Sequence, residues 1–278
     1  MSAIHRISVS QLARLVGTTH MPHIYDVRIT EDIETYPFII PSAQHYDFLT
    51  LADDISAGPD DMIVILCHGG LKLSQGVAAL LRSRGYNAFY LQGGMVAWQE
   101  ASQPVVPLSS LEMLPKVGPS LWVTRHRPKI DRIACPWFIR RFLDREARFL
   151  FVEPAQVMLV ADRFGAIPFD VTGAALTHQG ALCSFDACLA HFGLASEAGL
   201  SKMAPIIRAA DRGKCDTVPE ASGLHAMSVG LSHLIKDDNT LLETGMMLYD
   251  ALYKWARDHY EEQHDSRALD SQIVSESE

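Results

Sequence analysis

A single cysteine closes the apolar run MIVIL and opens a short loop. The stretch CHGGLKLS, residues 67–74, places Gly69, Gly70 and Lys72 within five residues of Cys67, and a helix-like pattern, QGVAALLRSRGY, follows. A cysteine at the end of a buried parallel strand, just before a helix, sits where open α/β sheets bind ligands. Gly69 and Gly70 allow the loop to curl, so that successive backbone N–H groups point inward and form an anion cradle. The helix N-terminus and Lys72 add positive potential, and all three features favour the thiolate, the nucleophilic form of cysteine. Cys67 is thus the candidate nucleophile, with His68, Gly69, Gly70, Leu71 and Lys72 around a small anionic substrate. An inert buried cysteine is the plainer alternative, because apolar strands often carry one.

A second concentration of chemistry lies in TRHRPKIDRIACPWFIRRFLDREAR, residues 124–148. It holds eight of the 24 basic residues of the chain, opposed only by Asp131, Asp144 and Glu146. Proline is favoured at the first position of a helix. The pattern therefore predicts a helix from Pro136, with Cys135 at its cap, Lys129 and Arg132 in the loop before it, and Trp137, Phe138 and Phe142 partly buried. A helix N-terminus beside several arginines is an anion site. Lys129, Arg132, Cys135 and Arg140 are the candidate oxyanion-binding residues; a solvated, salt-bridged face is the alternative. Further on, THQGALCSFDACLAHFG and AADRGKCDTVPEASGLHA gather histidine, cysteine and carboxylates. Pro219 is expected to open a helix with Glu220 in its first turn. His178, Asp211 and Glu220 are the candidate ligands for a transition metal. No Cys-x-x-Cys or His-x-x-x-His pair sharpens that set, and a carboxylate at a helix start often only complements the dipole.

The elements that must position these groups fall into two units. Residues 1–105 alternate strand and helix: RISV, HIYDV, MIVIL and AFYLQGG as strands, a helix opened by Ser10, and a helix burying Val77, Leu80 and Leu81 that stops at Gly85. Such alternation implies a parallel sheet covered on both faces. Residues 106–120, rich in proline, read as a linker. Residues 121–262 form a second unit, first mixed α/β and then mostly helical. Its last helix has Thr240 and Glu243 at capping-box spacing and Leu242, Met246, Tyr249, Tyr253 and Ala256 along one face. Residues 263–278 are a polar tail. The formal charge of −9 argues against a protein built to grip nucleic acid. No run approaches the ~20 apolar residues of a membrane span, and no signal peptide is evident. Five cysteines, an odd number, read as thiols of a reducing compartment, so a cytoplasmic location is expected.

Residues 5–105 resemble the rhodanese family of sulfurtransferases. YDVR at 25–28 is similar to that family's Asp-Val-Arg strand end, IPSA at 40–43 to its Ile-Pro-Gly-Ala turn, and LQGGMVAW at 91–98 to its closing motif. The resemblance implies that Cys67 takes the outer sulfur of a thiosulfate-like donor as a persulfide and passes it to a thiol acceptor. It also places Asp26 and Arg28 among the substrate-binding residues. Leu73 stands where a phosphatase-like loop has arginine, which disfavours phosphatase activity. Residues 121–257 resemble the C-terminal domain of the chromate-resistance protein B (ChrB) family, through RPKIDRIACPWFIRRFLD, THQGALCSFD, IIRAADRG and PEASGLHAMSVGLS. Its members are associated with chromate-responsive regulation and resistance.

Three functions are thus open: a sulfurtransferase coupled to a domain that binds an oxyanion such as chromate, or a metal; a chromate-responsive sensor without turnover; and a metalloenzyme seated in the second unit. The expected fold class is α/β, a rhodanese-like sheet followed by a mostly helical domain.

Overall fold

In a computed structural model the chain is described over residues 5–51, 55–116 and 118–261. The expected polar tail, 263–278, lies outside them. MIVIL forms strand β5 (Met62–Leu66) at the centre of a wholly parallel sheet. With β1 (Arg6–Ile7), β2 (His23–Asp26), β4 (Gln44–His45) and β6 (Asn87–Leu91), the order is β1-β6-β5-β2-β4. Side chains of a strand alternate between faces. Tyr25, Ile63 and Ile65 accordingly meet Val77, Ala78 and Leu81 of the Lys72–Ser83 helix on one face. Ile24, Val64 and Leu66 meet Leu12, Met95 and Trp98 on the other. Leu80, expected in the core, is 43% exposed, because the buried stripe runs through Ser74, Val77, Ala78 and Leu81.

The first helix, Val9–Leu15, is capped two residues before the expected Ser10. Ser8 accepts the Gln11 N–H and Gln11 returns the bond to the Ser8 N–H, a reciprocal pair that satisfies two of the orphan donors of a helix start.

The second unit is built on a three-stranded parallel sheet, order β10-β8-β9, of β8 (Leu121–Arg125), β9 (Arg148–Val152) and β10 (Ile167–Pro168). Helix Val157–Phe164 covers one face through Val157 and Ala161. The other face lies under helix Asp131–Phe142, which is buried nearly all round. That helix starts five residues before the expected Pro136, which sits inside it. An interior proline costs about 3 kcal/mol. Burial of Ile133, Trp137, Phe138, Ile139 and Phe142, at roughly 1.5–3 kcal/mol for each large apolar side chain, outweighs that cost. Helices Ser184–His191, Ala198–Asp211, Pro219–Leu234 and Asp238–Lys254 complete the unit. Pro219 opens its helix as expected. The last α-helix buries Leu242, Met246, Tyr249 and Tyr253, and Ala256 is buried in the π-helical turn Trp255–His259 that follows; the helix cap is Asp237, which accepts the Thr240 N–H.

Residues 106–120 are more than a tether. Strand β7 (Val106–Pro107) pairs antiparallel with β3 (Phe38–Ile39), and a 3-10 helix follows at Leu108–Met113. Prolines restrict the chain to conformations an edge strand tolerates. One apolar cluster runs through Leu12, Trp98, Val106, Phe142, Phe192 and Tyr253 and so spans both units. Ser42 donates its N–H to the Phe142 carbonyl at 2.7 Å, and Arg257 reaches the carbonyls of Arg14 and Val16.

Candidate functional site

Cys67 stands directly after β5, and the sequence around it explains the loop that follows. Gly70 has φ +66°, and a Cβ there would lie 2.5 Å from the Leu91 carbonyl and 2.7 Å from the amides of Gly93 and Gly94. Gly94, with φ +58°, packs so closely that a Cβ would overlap the Cys67 carbonyl. Backbone lies on backbone, and only glycine permits it. The helix Gly94–Glu100 then receives the loop: the N–H groups of Met95 and Val96 bond the carbonyls of Cys67 and His68, each at 3.0 Å. With those carbonyls taken, the N–H groups of His68, Gly69, Gly70 and Leu71 have no acceptor among the described residues. Four successive unpaired donors beside one sulfur suit an anion. The Cys67 Sγ lies 3.1 Å from the Ser74 hydroxyl. Lys72 and Leu71 are exposed at the mouth.

Asp26 and Arg28 do not take part. Their side chains are fully enclosed, and Arg28 spends its guanidinium on Asp26 and on the carbonyls of Tyr36 and Phe38. They fix the segment after β2 and are sealed away from any substrate, which corrects the expectation from the YDVR motif.

In the second unit the basic island is also committed internally. Arg132 donates to the carbonyl of His126 at 2.8 Å and lies 3.3 Å from Asp170. Its pKa is lowered by burial and by neighbouring Arg125. Arg140 donates to the Ala147 carbonyl, pairs with Glu243 at 2.5 Å and stacks over Phe149. Arg141 forms a fork with Asp250. Cys135 is mid-helix and fully buried, and burial, then contact with Cys188, pushes its thiol far up. The expected oxyanion set is therefore not a cluster of free donors: Cys135 is sealed, and Arg132 and Arg140, half-buried like Lys129, serve packing and pairing.

What the fold brings together there is acidic. Asp131 is the first residue of its helix, Asp170 follows β10, His178 lies in the loop beyond, and Asp211 ends the Ala198–Asp211 helix. The His178 Nε2 is 3.5 Å from Asp131, 3.3 Å from Asp170 and 3.3 Å from Asp211. Asp131 and Asp170 are nearly sealed, at 1% and 4% exposure, whereas the His178 side chain is 37% exposed. Ser184 ties two of the acids together, its N–H on Asp131 and its hydroxyl on Asp170. Arg125 and Arg132 both face the second oxygen of Asp170. The hydrogen bond to Asp131, helped by the surrounding carboxylates, raises the His178 pKa. Burial, then the charges of Asp131 and Asp170, push Asp211 up to about 6. Asp170 holds φ +52° and Ile130 φ +42°, conformations that cost a non-glycine residue about 1–3 kcal/mol.

Two of the expected metal ligands, His178 and Asp211, thus meet. Glu220 does not: it is exposed in the first turn of its own helix. Asp131 and Asp170 were not anticipated as site residues. The available signals were an acid within a basic stretch and an acid closing the short apolar run IPF, both weak alone. Ser74 and Gly94 support Cys67 in ways that only the folded chain shows, Ser74 through its hydroxyl on the sulfur and Gly94 through backbone packing.

Residues 8–101 match the family described as rhodanese-like domain, and residues 122–256 match the ChrB C-terminal domain. Protein ChrB of Cupriavidus metallidurans is 39% identical over 132 residues, which make up 48% of this chain and 39% of that protein. The chain thus covers well under two thirds of that relative. YtwF of Bacillus subtilis, provisionally named a sulfurtransferase, is 28% identical over 102 residues, 36% of this chain and 96% of its own length. Among solved structures, a rhodanese-like domain protein of Staphylococcus aureus aligns over 34% of this chain and 89% of its own, with 31% identity and a TM-score of 0.30. A rhodanese-related protein of Thermoplasma volcanium aligns over 37% and 97%, with 20% identity and a TM-score of 0.32. Among the described residues no helix is long and apolar enough to cross a membrane.

Proposed function

The chain joins a rhodanese-like domain, residues 8–101, to a ChrB C-terminal domain, residues 122–256, and from that premise we propose that it is a sulfurtransferase working in chromate and oxidative-stress resistance. Cys67 is its sulfur carrier. The observation that supports this reading most directly is the row of unpaired N–H groups from His68 to Leu71 beside the Cys67 sulfur. A dianionic donor of the thiosulfate type binds in that row. The Cys67 thiolate attacks the outer sulfur, a new S–S bond forms, the donor's S–S bond breaks, and sulfite leaves with the bonding pair. The loop donors stabilise negative charge on the departing oxyanion. In the second half a thiolate acceptor attacks the outer sulfur of the persulfide, and Cys67 returns as thiolate. Ser74 positions Sγ, and Lys72 draws the anion to the mouth. Because Arg125, Arg127, Arg132, Arg140 and Arg141 are bonded internally, the small anion is assigned to the Cys67 loop. The chromate-resistance setting rests on the likeness to Protein ChrB.

The test is intact-mass analysis after incubation with thiosulfate. The wild-type chain gains one sulfur, released by a thiol, and Cys67→Ser gains none. A serine variant that still acquires sulfane sulfur on this domain would falsify the assignment. A persulfide that forms but never passes to a thiol would shift the reading to a sensor.

A further inference from the structure

We propose that Asp131, Asp170, His178 and Asp211 form a binding site for a divalent first-row transition cation, of which Mn2+ is the natural probe. The site is independent of Cys67 and of its chemistry. One ligand atom each from Asp131, Asp170 and His178 fall within 4.8 Å of one another, and Asp211 joins them 3.3 Å from the imidazole. Hydrogen bonding alone does not account for this grouping. The single His178 Nε2 faces oxygens of three carboxylates at 3.3–3.5 Å, and one N–H cannot serve three acceptors. The second oxygen of Asp131, a residue only 1% exposed, has no hydrogen-bond partner at all. A sealed carboxylate oxygen without a donor is costly. A cation among these groups supplies the positive charge that one shared N–H cannot, to a carboxylate of which one oxygen is otherwise unpaired.

The donor set narrows the class. Three carboxylates and one imidazole suit manganese or ferrous iron, whereas calcium and magnesium prefer oxygen alone and structural zinc prefers thiolate and imidazole. The carboxylates are held as ligands should be. Ser184 fixes one oxygen of Asp131 and one of Asp170, and Arg125 and Arg132 hold the other oxygen of Asp170, so outer contacts set their orientation. A helix start, a strand end and a helix end supply the three carboxylates, which makes that part of the frame rigid, and His178 joins them from the loop before the Ser184–His191 helix. His178, on the exposed side, marks the entrance and leaves room for water as a further ligand. Arg212 contacts the other ring nitrogen of His178 at 3.3 Å. That contact opposes metal, because a loaded Nε2 requires the proton on Nδ1.

The test uses the full chain, stripped with a chelator and titrated with Mn2+ while the electron paramagnetic resonance signal of the free ion is followed. Wild type is expected to remove one equivalent. His178→Ala and Asp211→Asn, both at partly exposed positions, weaken binding about 10- to 100-fold. Arg212→Ala tightens it, and Cys67→Ser leaves it unchanged. Absence of saturable binding overturns the proposal, and so does an affinity that neither the His178 nor the Asp211 variant alters.

Discussion

The Cys67 loop and the Asp131 cluster occupy the same place in two different sheets and want opposite charges. Each follows the C-terminal ends of parallel strands, β5 in the first unit and β8 and β10 in the second, and each abuts the start of a helix. Topology chooses such a position for a site. The sign of the ligand is chosen by what the chain leaves unpaired there. In the first unit, glycines press the loop carbonyls against a neighbouring helix and leave a row of donors empty. In the second, Arg127, Arg132, Arg140 and Arg141 are consumed by carbonyls and carboxylates, and an acidic oxygen is left over together with one guanidinium donor, the Arg125 Nε. A basic composition therefore predicts an anion site poorly. What matters is which donors are still unspent after folding.

The strongest way to break this contrast is Gly94→Ala. A side chain there meets backbone atoms of Cys67, His68 and Gly70, which cannot yield as a side-chain tip would. Loss of sulfur loading and a destabilisation of about 3 kcal/mol or more are expected in denaturant titration. Gly173→Ala, at φ +90° but in open space, costs only about 1 kcal/mol. An effect smaller than that of Gly94→Ala is expected from Asp186→Ala. Burial alone would raise the Asp186 pKa, but its fork with Arg208 and the Cys183 N–H more than reverse this and lower it. A lowered carboxylate pKa contributes stability above the unfolded value near 4, and that contribution is lost as pH falls through the folded value. The variant should be about 2 kcal/mol less stable at pH 7, with a flatter loss of stability below pH 4. Arg140→Ala should cost about 1–2 kcal/mol through its lost bonds and stacking, with no change in sulfate or chromate affinity by calorimetry. A marked fall in anion affinity would restore an oxyanion role to the basic island. Ser74→Ala should be the mildest: persulfide formation slows about fivefold, in line with one hydrogen bond of about 1 kcal/mol, while Tm barely moves.

The fold of the first unit was legible because its strands and helices are local patterns, and the cysteine, the glycines and the lysine of its loop are adjacent in sequence. The second site was legible only in part. His178 and Asp211 stood out by residue type, but their partners Asp131 and Asp170 come from distant segments, and no local spacing joins them. Pro136 misled for a related reason: proline signals a helix start in isolation, whereas the buried surface of Ile133, Trp137 and Phe138 carries the helix through it. Arg28 and Arg140 illustrate the same limit, since a charged side chain reads alike in sequence whether it faces solvent or holds a carbonyl.

The apolar cluster shared by the two units has a consequence for how the protein is made. Arg257 bonds carbonyls 241 and 243 residues earlier in the chain, and Tyr253 and Phe142 pack against Gly17. On a ribosome adding about 5–20 residues per second, the first unit emerges roughly 8–30 s before the helix that covers it. During that interval the outer face around Leu12 and Trp98 lacks its lid. The cell must shield a greasy, half-dressed domain until the helix that carries Tyr253, and the turn after it with Arg257, arrive to close it.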